Sequence, residues 1–539
     1  RDSLGDLSRF DYLVAHNAGF ELGWLWRCGY ELKDLFVLCT QIAEYTIAGN
    51  RTWGMYASVD GCLERRNMPR KDHPVGKLIR KGVCPSTIPP KYLMEYNRED
   101  IVLEDMLWRH MRKEMKKLDL LKVFYTKCLY TPVLVDIERK GLHLDKDRVE
   151  DLYDTTFEEQ RNLQLEWDEL TGGINPKSSP QKQEYFYGTL GFRVPKNART
   201  EKGAAKTDAA TLLRLDPKTP EQTAAIRVVR QLTKCKDLMS KYLSKFKACV
   251  EDDEGILTFR INQTTAATHR LSSTGQKYAT QGQNIPRALK KLFSAREPDW
   301  EMAEIDQDGL EFRTAGHLGR DAVARDDILS GTDPHEMTGK IVFAETWNFN
   351  EKSKSKHNNP LRQEAKAETF KPLYGGIKGS PRQMEYYQAF RKKYAGISAT
   401  QEKWADEVVR TGSLVTETGL RFYWPNTIRY SNGSSSNFQA ICNYPVQYLA
   451  TGDGGITPIA VILQWHLMQA YDLESFICNT IHDSSISEVK REEKEIFKEI
   501  AEWSFTKGAT EFLANMYGID LFVPLSATVE FYKYWSEKA

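Results

Sequence analysis

The sequence predicts a mixed α/β protein built from several domains, and three observations carry that expectation. Its 539 residues exceed what one compact core holds; at roughly 100–200 residues per domain, about three or four are expected. Hydrophobic residues make up 41% and charged residues 28%, a mixture with enough apolar material for those cores. Short apolar, strand-like runs recur between long segments whose apolar residues follow helical spacing.

Residues 11–48 alternate short apolar runs with small polar breaks, as an α/β unit does. Residues 93–122 set Ile101, Met106, Leu107, Met111, Met115 and Leu118 at helical spacing in a charged stretch, which predicts a helix. GGINPKSSPQK (172–182) is rich in turn formers and opens a new segment. A long basic helical region covers 221–249 and ends before an acidic turn at Glu251–Gly255. GILTFRIN (255–262) alternates like a strand, and EMAEID (301–306) reads as a buried strand entering a helix near 309–318. Residues 361–375 have helical character, while FICNTIHDSSISEV (476–489) reads as two strands joined at His482–Ser485.

Net charge is only +1, which excludes a uniformly basic nucleic-acid coat, but the charge is uneven. Seven basic residues and one acid, Asp237, lie between Arg227 and Lys247; Lys352, Lys354 and Lys356 form a second group, and Arg391, Lys392 and Lys393 a third. Local basic surfaces of this kind suit a groove that tracks a phosphate backbone, although each run alone suits a solvated helix face. The nine cysteines are scattered without a C-x-x-C pair or zinc-site spacing, so reduced thiols in a cytoplasmic setting are expected. No uncharged apolar stretch reaches the ~18 residues that span a bilayer, so no membrane partner is expected. The chain opens on Arg1 without a signal region and reads as a fragment or trimmed product.

Two carboxylates stand where chemistry could use them. Asp306 ends an apolar strand and Asp483 sits at a hairpin tip, so apolar neighbours can anchor each while its carboxylate faces a cleft. Two such groups can bridge two Mg²⁺ ions, one activating a hydroxyl and both stabilising charge at a transferring phosphorus. Either aspartate alone reads as a cap or a solvated acid. Between them, RQEAKAETFKPLYG (362–375) repeats Arg362, Lys366, Phe370 and Tyr374 every four residues along one helical stripe. Two cations there could take triphosphate oxygens and the aromatics could take a base or sugar. On spacing alone, an ordinary amphipathic helix with Phe370 and Tyr374 in a core is the better reading.

With these segments together, the chain resembles the family A DNA polymerases. The helix fits that family's pattern R-x-x-x-K-x-x-x-F-x-x-x-Y-G, completed by Gly375; DQDGLEFR (306–313) and IHDSS (481–485) look like its two catalytic motifs. TTAATHRLSS (264–273), QNIP (283–286), NYPVQ (443–447) and VPLSATVE (523–530) follow the family's order over about 400 residues. The resemblance implies a right-hand polymerase acting on primer–template DNA and dNTPs with two Mg²⁺ or Mn²⁺ ions. Asp306 and Asp483 would hold the metals; Arg362, Lys366 and His335 would contact the triphosphate; Phe370 would pack beneath sugar and base, and Tyr374 would lie near the templating base. Glu311 would be the steric gate against a 2′-hydroxyl. Arg270, Gln283, Asn284, Gln447 and His482 would lie along the primer and template.

The pattern is departed from at Ser484, where a second acid is usual, at His269, where glycine is usual, at Tyr448, where a small residue is common, and at Gln307 and Asp308. These departures read as phage-type variation that leaves both aspartates in place. At the front, VAHNAGFELGWL (14–25) resembles a proofreading 3′–5′ exonuclease motif with Glu21 for the usual aspartate, and Tyr96 and Asp100 resemble another. A first Asp-x-Glu motif would precede residue 1, so little proofreading is expected. The implied layout is a partial RNase H-like exonuclease domain over 1–122, a connector and helical thumb over 123–255, palm over 256–320, fingers over 321–440 and palm again over 441–539. A monomer is expected, with replisome proteins as further partners, and the continuous run through 240–270 leaves no thioredoxin-binding insertion.

Overall fold

Hydrophobic alternation near the front yields two short parallel strands. In the computed structural model, which describes residues 5–7, 9–51, 57–70, 72–332, 334–343, 360–376, 378–431 and 433–537, β1 (Leu13–Ala15) pairs with β2 (Val37–Cys39). The helix Ala18–Arg27 crosses between them, and Thr40–Ala48 follows as a helix buried along most of its length. The helix expected over 93–122 is two helices, Pro90–Lys117 and Leu121–Lys140. Asp119, at φ 56, breaks the run, because a left-handed residue cannot continue a right-handed helix.

Helix Lys146–Thr171 starts on Asp145, whose side chain accepts from the Arg148 amide, and stops at Gly172 with φ 70, so the predicted turn segment begins as a left-handed C-cap. The basic region expected over 221–249 forms Pro220–Leu238, a π turn at Met239–Leu243, and Ser244–Asp252. It packs on Lys146–Thr171, and a separate apolar cluster around Trp167, Phe186, Val229 and Leu232 lies among these helices and their connections.

The strand expected over 255–262 is split at Thr258. β3 (Leu142–His143) takes β4 (Ile256–Leu257), whereas β5 (Phe259–Asn262) pairs with β6 (Ser272–Gly275). Alternation continues through the break because both pieces bury one face; only their partners differ. The principal sheet contains β7 (Trp300–Gln307), followed in the chain by the small hairpin of β8 (Ser413–Val415) and β9 (Arg421–Tyr423). Its other strands are β10 (Phe476–Ile481), β11 (Ser484–Lys490) and β12 (Ala527–Tyr532), in the antiparallel order β10-β11-β7-β12. β10 and β11 are buried on both faces, with helices Leu121–Lys140 and Ile456–Ala470 packed on β10.

Helices Pro334–Val342, Pro360–Leu373, Pro381–Lys393 and Ala395–Thr411 gather around another apolar cluster containing Phe312, Leu373, Tyr386, Phe390 and Tyr394. A third cluster runs without interruption from Ala15 and Trp108 through Val133 to Ile305 and Val529, so the front of the chain shares its core with the principal sheet. All nine cysteines are unpaired. Among the described residues, no helix is long and apolar enough to cross a membrane.

Candidate active site

Sheet register brings the two predicted aspartates together. β7 and β11 pair so that Asp306 opposes Ser484, and the Gln307 amide donates to the Asp483 carbonyl at 3.1 Å. The turn between β10 and β11 is shorter than expected, only His482 and Asp483, with His482 at φ 52 as tight hairpins require. Asp306 is exposed and Asp483 half-buried at the same end of the sheet. Beneath them Gln307 is buried and fixed, donating to the Phe505 carbonyl at 2.8 Å and accepting from Thr457 Oγ1 at 2.7 Å. Ser484 donates to the Ile481 carbonyl at 3.0 Å, so its hydroxyl closes the hairpin. Two carboxylates at one strand end are a hard oxygen donor set suited to Mg²⁺ or Mn²⁺, with substrate phosphates able to complete the coordination.

After β7 the chain turns at Gly309, φ 55, into the helix Leu310–Leu318, which carries Glu311 toward the same end of the sheet. Glu311 is no surface acid. One of its oxygens takes an ion pair from Arg270 Nη2 and the other accepts from the Tyr374 hydroxyl, so both are held. Arg270 Nε donates in turn to Thr451 Oγ1 at 2.7 Å. Burial, reinforced by Glu311, pushes the Tyr374 phenol well above its ordinary pKa, so it stays a donor. Tyr374 stacks on Phe370 at 6.3 Å, and His335 meets Phe370 edge-on at 5.4 Å. His335 is buried with Nδ1 3.0 Å from Thr369 Oγ1. Gly375 is required by its φ of 73, and a β-carbon there would come within 3.0 Å of Cys442 Sγ. The helix Pro360–Leu373 carries positions 362 and 366, but the side chains of Arg362 and Lys366 lie outside the described residues.

Of the residues expected along the primer, Arg270, Gln283 and His482 line one small pocket with Thr451 and Thr480. Gln283 is anchored by its side chain on the Thr480 carbonyl at 3.0 Å and by its amide on Ser273 Oγ at 3.2 Å. Asn284 is exposed and donates to Gln281 Oε1 at 2.5 Å, while Gln447 is half-buried on the helix Phe438–Thr451. Desolvation and the Arg270 cation hold His482 below the usual imidazole pKa, against the pull of Asp483 and Glu311. Asp483, Glu311, Arg270, Tyr374 and His482 thus fall within one electrostatic neighbourhood.

The front motifs form a second carboxylate group. Glu104 lies among Glu21 and Asp100, accepts from Thr40 Oγ1 at 3.3 Å, and is pushed up to about 7 by burial and by those two acids. Tyr96 packs edge-on against His73 at 5.6 Å. Sequence reasoning missed Glu104, although it stands four residues beyond Asp100 on the same helix face. It also missed Thr451, whose distance from Arg270 in the chain conceals the contact. Among the described residues, no three His, Cys, Asp or Glu side chains form a metal-binding group.

A family model described as DNA polymerase family A matches residues 146–537. DNA polymerase I of Treponema pallidum (strain Nichols) is 24% identical over 553 residues, covering 98% of this chain and 50% of its own. The thermostable DNA polymerase I of Thermus thermophilus is 26% identical over 421 residues, covering 74% and 47%. DNA polymerase I of Aquifex aeolicus (strain VF5) is 24% identical over 530 residues, covering 91% and 83%. The chain therefore spans about half the length of the first two relatives. The solved POL domain of Pol1 from M. smegmatis, in complex with DNA primer-template and dNTP, superposes with a TM-score of 0.75 at 21% identity, covering 97% of this chain and 86% of that one. The shared architecture is that of a right-hand polymerase domain.

Proposed function

The chain belongs to DNA polymerase family A, and we propose that it is a template-directed DNA polymerase adding dNTPs to a primer 3′-hydroxyl. The observation that carries this reading is the β7–β11 register, which sets Asp306 and Asp483 at one sheet end beside the Arg270–Glu311–Tyr374 group. Asp306 and Asp483 would hold Mg²⁺ or Mn²⁺, which when bound supplies activation of the primer hydroxyl and neutralises charge at the transferring phosphorus. Arg362 and Lys366 grip the triphosphate, with His335 adding a contact from its place against Phe370. Phe370 packs beneath sugar and base, and Tyr374 closes the templating side.

Glu311 selects the sugar. With one oxygen on Arg270 and the other on Tyr374, the carboxylate cannot swing aside to admit a 2′-hydroxyl, nor can it readily accept a hydrogen bond from one. Arg270, Gln283, Asn284, Gln447 and His482 line the primer side. Residues 256–320 and 441–539 serve as palm, 321–440 as fingers, and the helices within 123–255 as thumb. Proofreading by Glu21, Tyr96 and Asp100 is weak or absent in this reading, since Glu21 sets its carboxylate one methylene beyond that of the family's aspartate.

Extension of a labelled primer on a DNA template with Mg²⁺ tests the proposal, comparing four dNTPs, four rNTPs and no nucleotide. Extension with dNTPs alone is expected. Tight primer–template binding without extension would overturn the polymerase reading, and a primer that shortens without nucleotide would overturn the proofreading assignment.

A further inference from the structure

The residue before Arg270 is a heavily committed side chain that the reading above leaves without a role. His269 sits at φ 59, a left-handed conformation that costs any residue with a β-carbon, and glycine is usual here in the family it resembles. Backbone preference therefore does not explain the histidine; its ring contacts do. The ring is buried, with Nε2 donating to the Gly49 carbonyl at 3.1 Å and Nδ1 accepting from Lys127 Nζ at 2.7 Å. Lys127 is itself fully buried, with its ammonium 5.5 Å from the Tyr45 ring. The Tyr45 ring lies 4.2 Å from that of His269, and its hydroxyl donates to the Ala266 carbonyl.

Tyr448, a second departure from the family pattern, packs edge-on to His269 at 6.1 Å and 75°. The His269 carbonyl accepts from the Asp453 amide at 2.7 Å, and Gln263 donates both to the Asp453 carboxylate at 3.1 Å and to the Lys127 carbonyl at 2.9 Å. Segment 263–270 is thereby tied to the helix Leu121–Lys140 and to the C-terminal end of the helix Thr40–Ala48. Arg270 leaves this knot with its backbone bridged to Gly452 and its guanidinium on Thr451 and Glu311. Burial pushes Lys127 and His269 down and Asp453 up from their ordinary pKa values. Burying a lysine and an aspartate together is costly and is a poor route to stability alone, so a positional role is the better account.

We infer that Lys127 and His269 are positioning residues for nucleotide selection: they fix segment 263–270 so that Arg270 holds Glu311 in the orientation that rejects a 2′-hydroxyl. The front unit, through Gly49 and Tyr45, is then a buttress of the insertion site. A guanidinium on a flexible stem can hold a partner only as firmly as its own backbone is held, and small displacements near a reacting centre carry large kinetic effects. The inference rests on the reading of Glu311 as the sugar gate.

Single-nucleotide incorporation of a dNTP and the matching rNTP, measured as kcat/KM for the parent, Lys127→Met, Glu311→Ala and the double variant, tests it. Lys127→Met is expected to narrow the dNTP/rNTP ratio about tenfold, mainly through a lower ribonucleotide KM. Added to Glu311→Ala, the same change should alter the ratio less than about twofold, since the gate it positions is gone. A ratio unmoved by Lys127→Met while Glu311→Ala shifts it overturns the inference alone, as does an equal effect in both backgrounds. A ratio unmoved by Glu311→Ala overturns the gate reading and this inference with it. Should Lys127→Met fail to fold, Tyr45→Phe, which deletes only the hydroxyl on Ala266, carries the same cycle with the same outcomes.

Discussion

The Asp306–Asp483 pair and the Glu21–Asp100–Glu104 cluster are held by different physics. Asp306 lies near the end of β7 and Asp483 in the turn that enters its neighbour β11, with a backbone hydrogen bond from the Gln307 amide to the Asp483 carbonyl beside them. Glu21, Asp100 and Glu104 project from two helices, Ala18–Arg27 and Pro90–Lys117, beside a sheet of two three-residue strands. Strand register admits only discrete alternatives, whereas helix-borne groups shift continuously with packing. The backbone ladder thus fixes where the strand-borne pair stands, while in the helix-borne group burial, with Glu21 and Asp100 adding to it, raises Glu104 to about 7.

The largest expected effect separates the two groups directly. Asp483→Asn should slow dNTP incorporation by at least about 1000-fold, whereas Glu21→Gln should leave it within about twofold. Comparable losses in a primer-extension time course would erase the distinction drawn above. Next in size, Glu311→Ala should lower discrimination against ribonucleotides by about 100-fold, read from the ratio of kcat/KM values. Unchanged selection would mean that a carboxylate held on both oxygens near the strand-borne pair does not face the sugar.

The smallest effect lies between the two regions. Glu138, on the helix Leu121–Lys140, accepts from the Ile261 amide at 2.5 Å and is raised by burial from 4.5 to about 7. The folded protein therefore keeps a proton that the unfolded chain releases. Stability from this group is fully present below about pH 4.5 and is lost as pH rises through about 7. Thermal melting should fall between pH 5 and pH 8, and Glu138→Gln should lose about 2 °C less over that span. Identical pH profiles would show that the join between the regions carries no such linkage.

Much of the strand-borne site was readable from residues alone. The apolar run before Asp306, the turn into Glu311 and the hairpin around Asp483 are local patterns, and they formed within a residue or two of expectation. The basic helices ending at Asp252 were similarly legible from periodicity. The break at Asp119 was not, because apolar spacing continues across it while one positive φ redirects the chain. Nor was the split of 255–262, since alternation reports which face is buried and says nothing of which strand is the partner. Of the Lys127–His269–Asp453 knot only His269 showed, as a departure from the family pattern: its members are more than a hundred residues apart, and a buried lysine looks like any other helix lysine until its neighbours are known.

The left-handed backbone at His269 bears on how such a chain can change. Replacement of His269 by glycine would relieve conformational cost yet leave Lys127 without its Nδ1 acceptor and Tyr448 without the ring it packs against. Replacement of Lys127 first would strand the histidine in a strained conformation with half its partners gone. Positions 127 and 448 are therefore coupled through position 269: a change at any one of the three removes a contact that another makes.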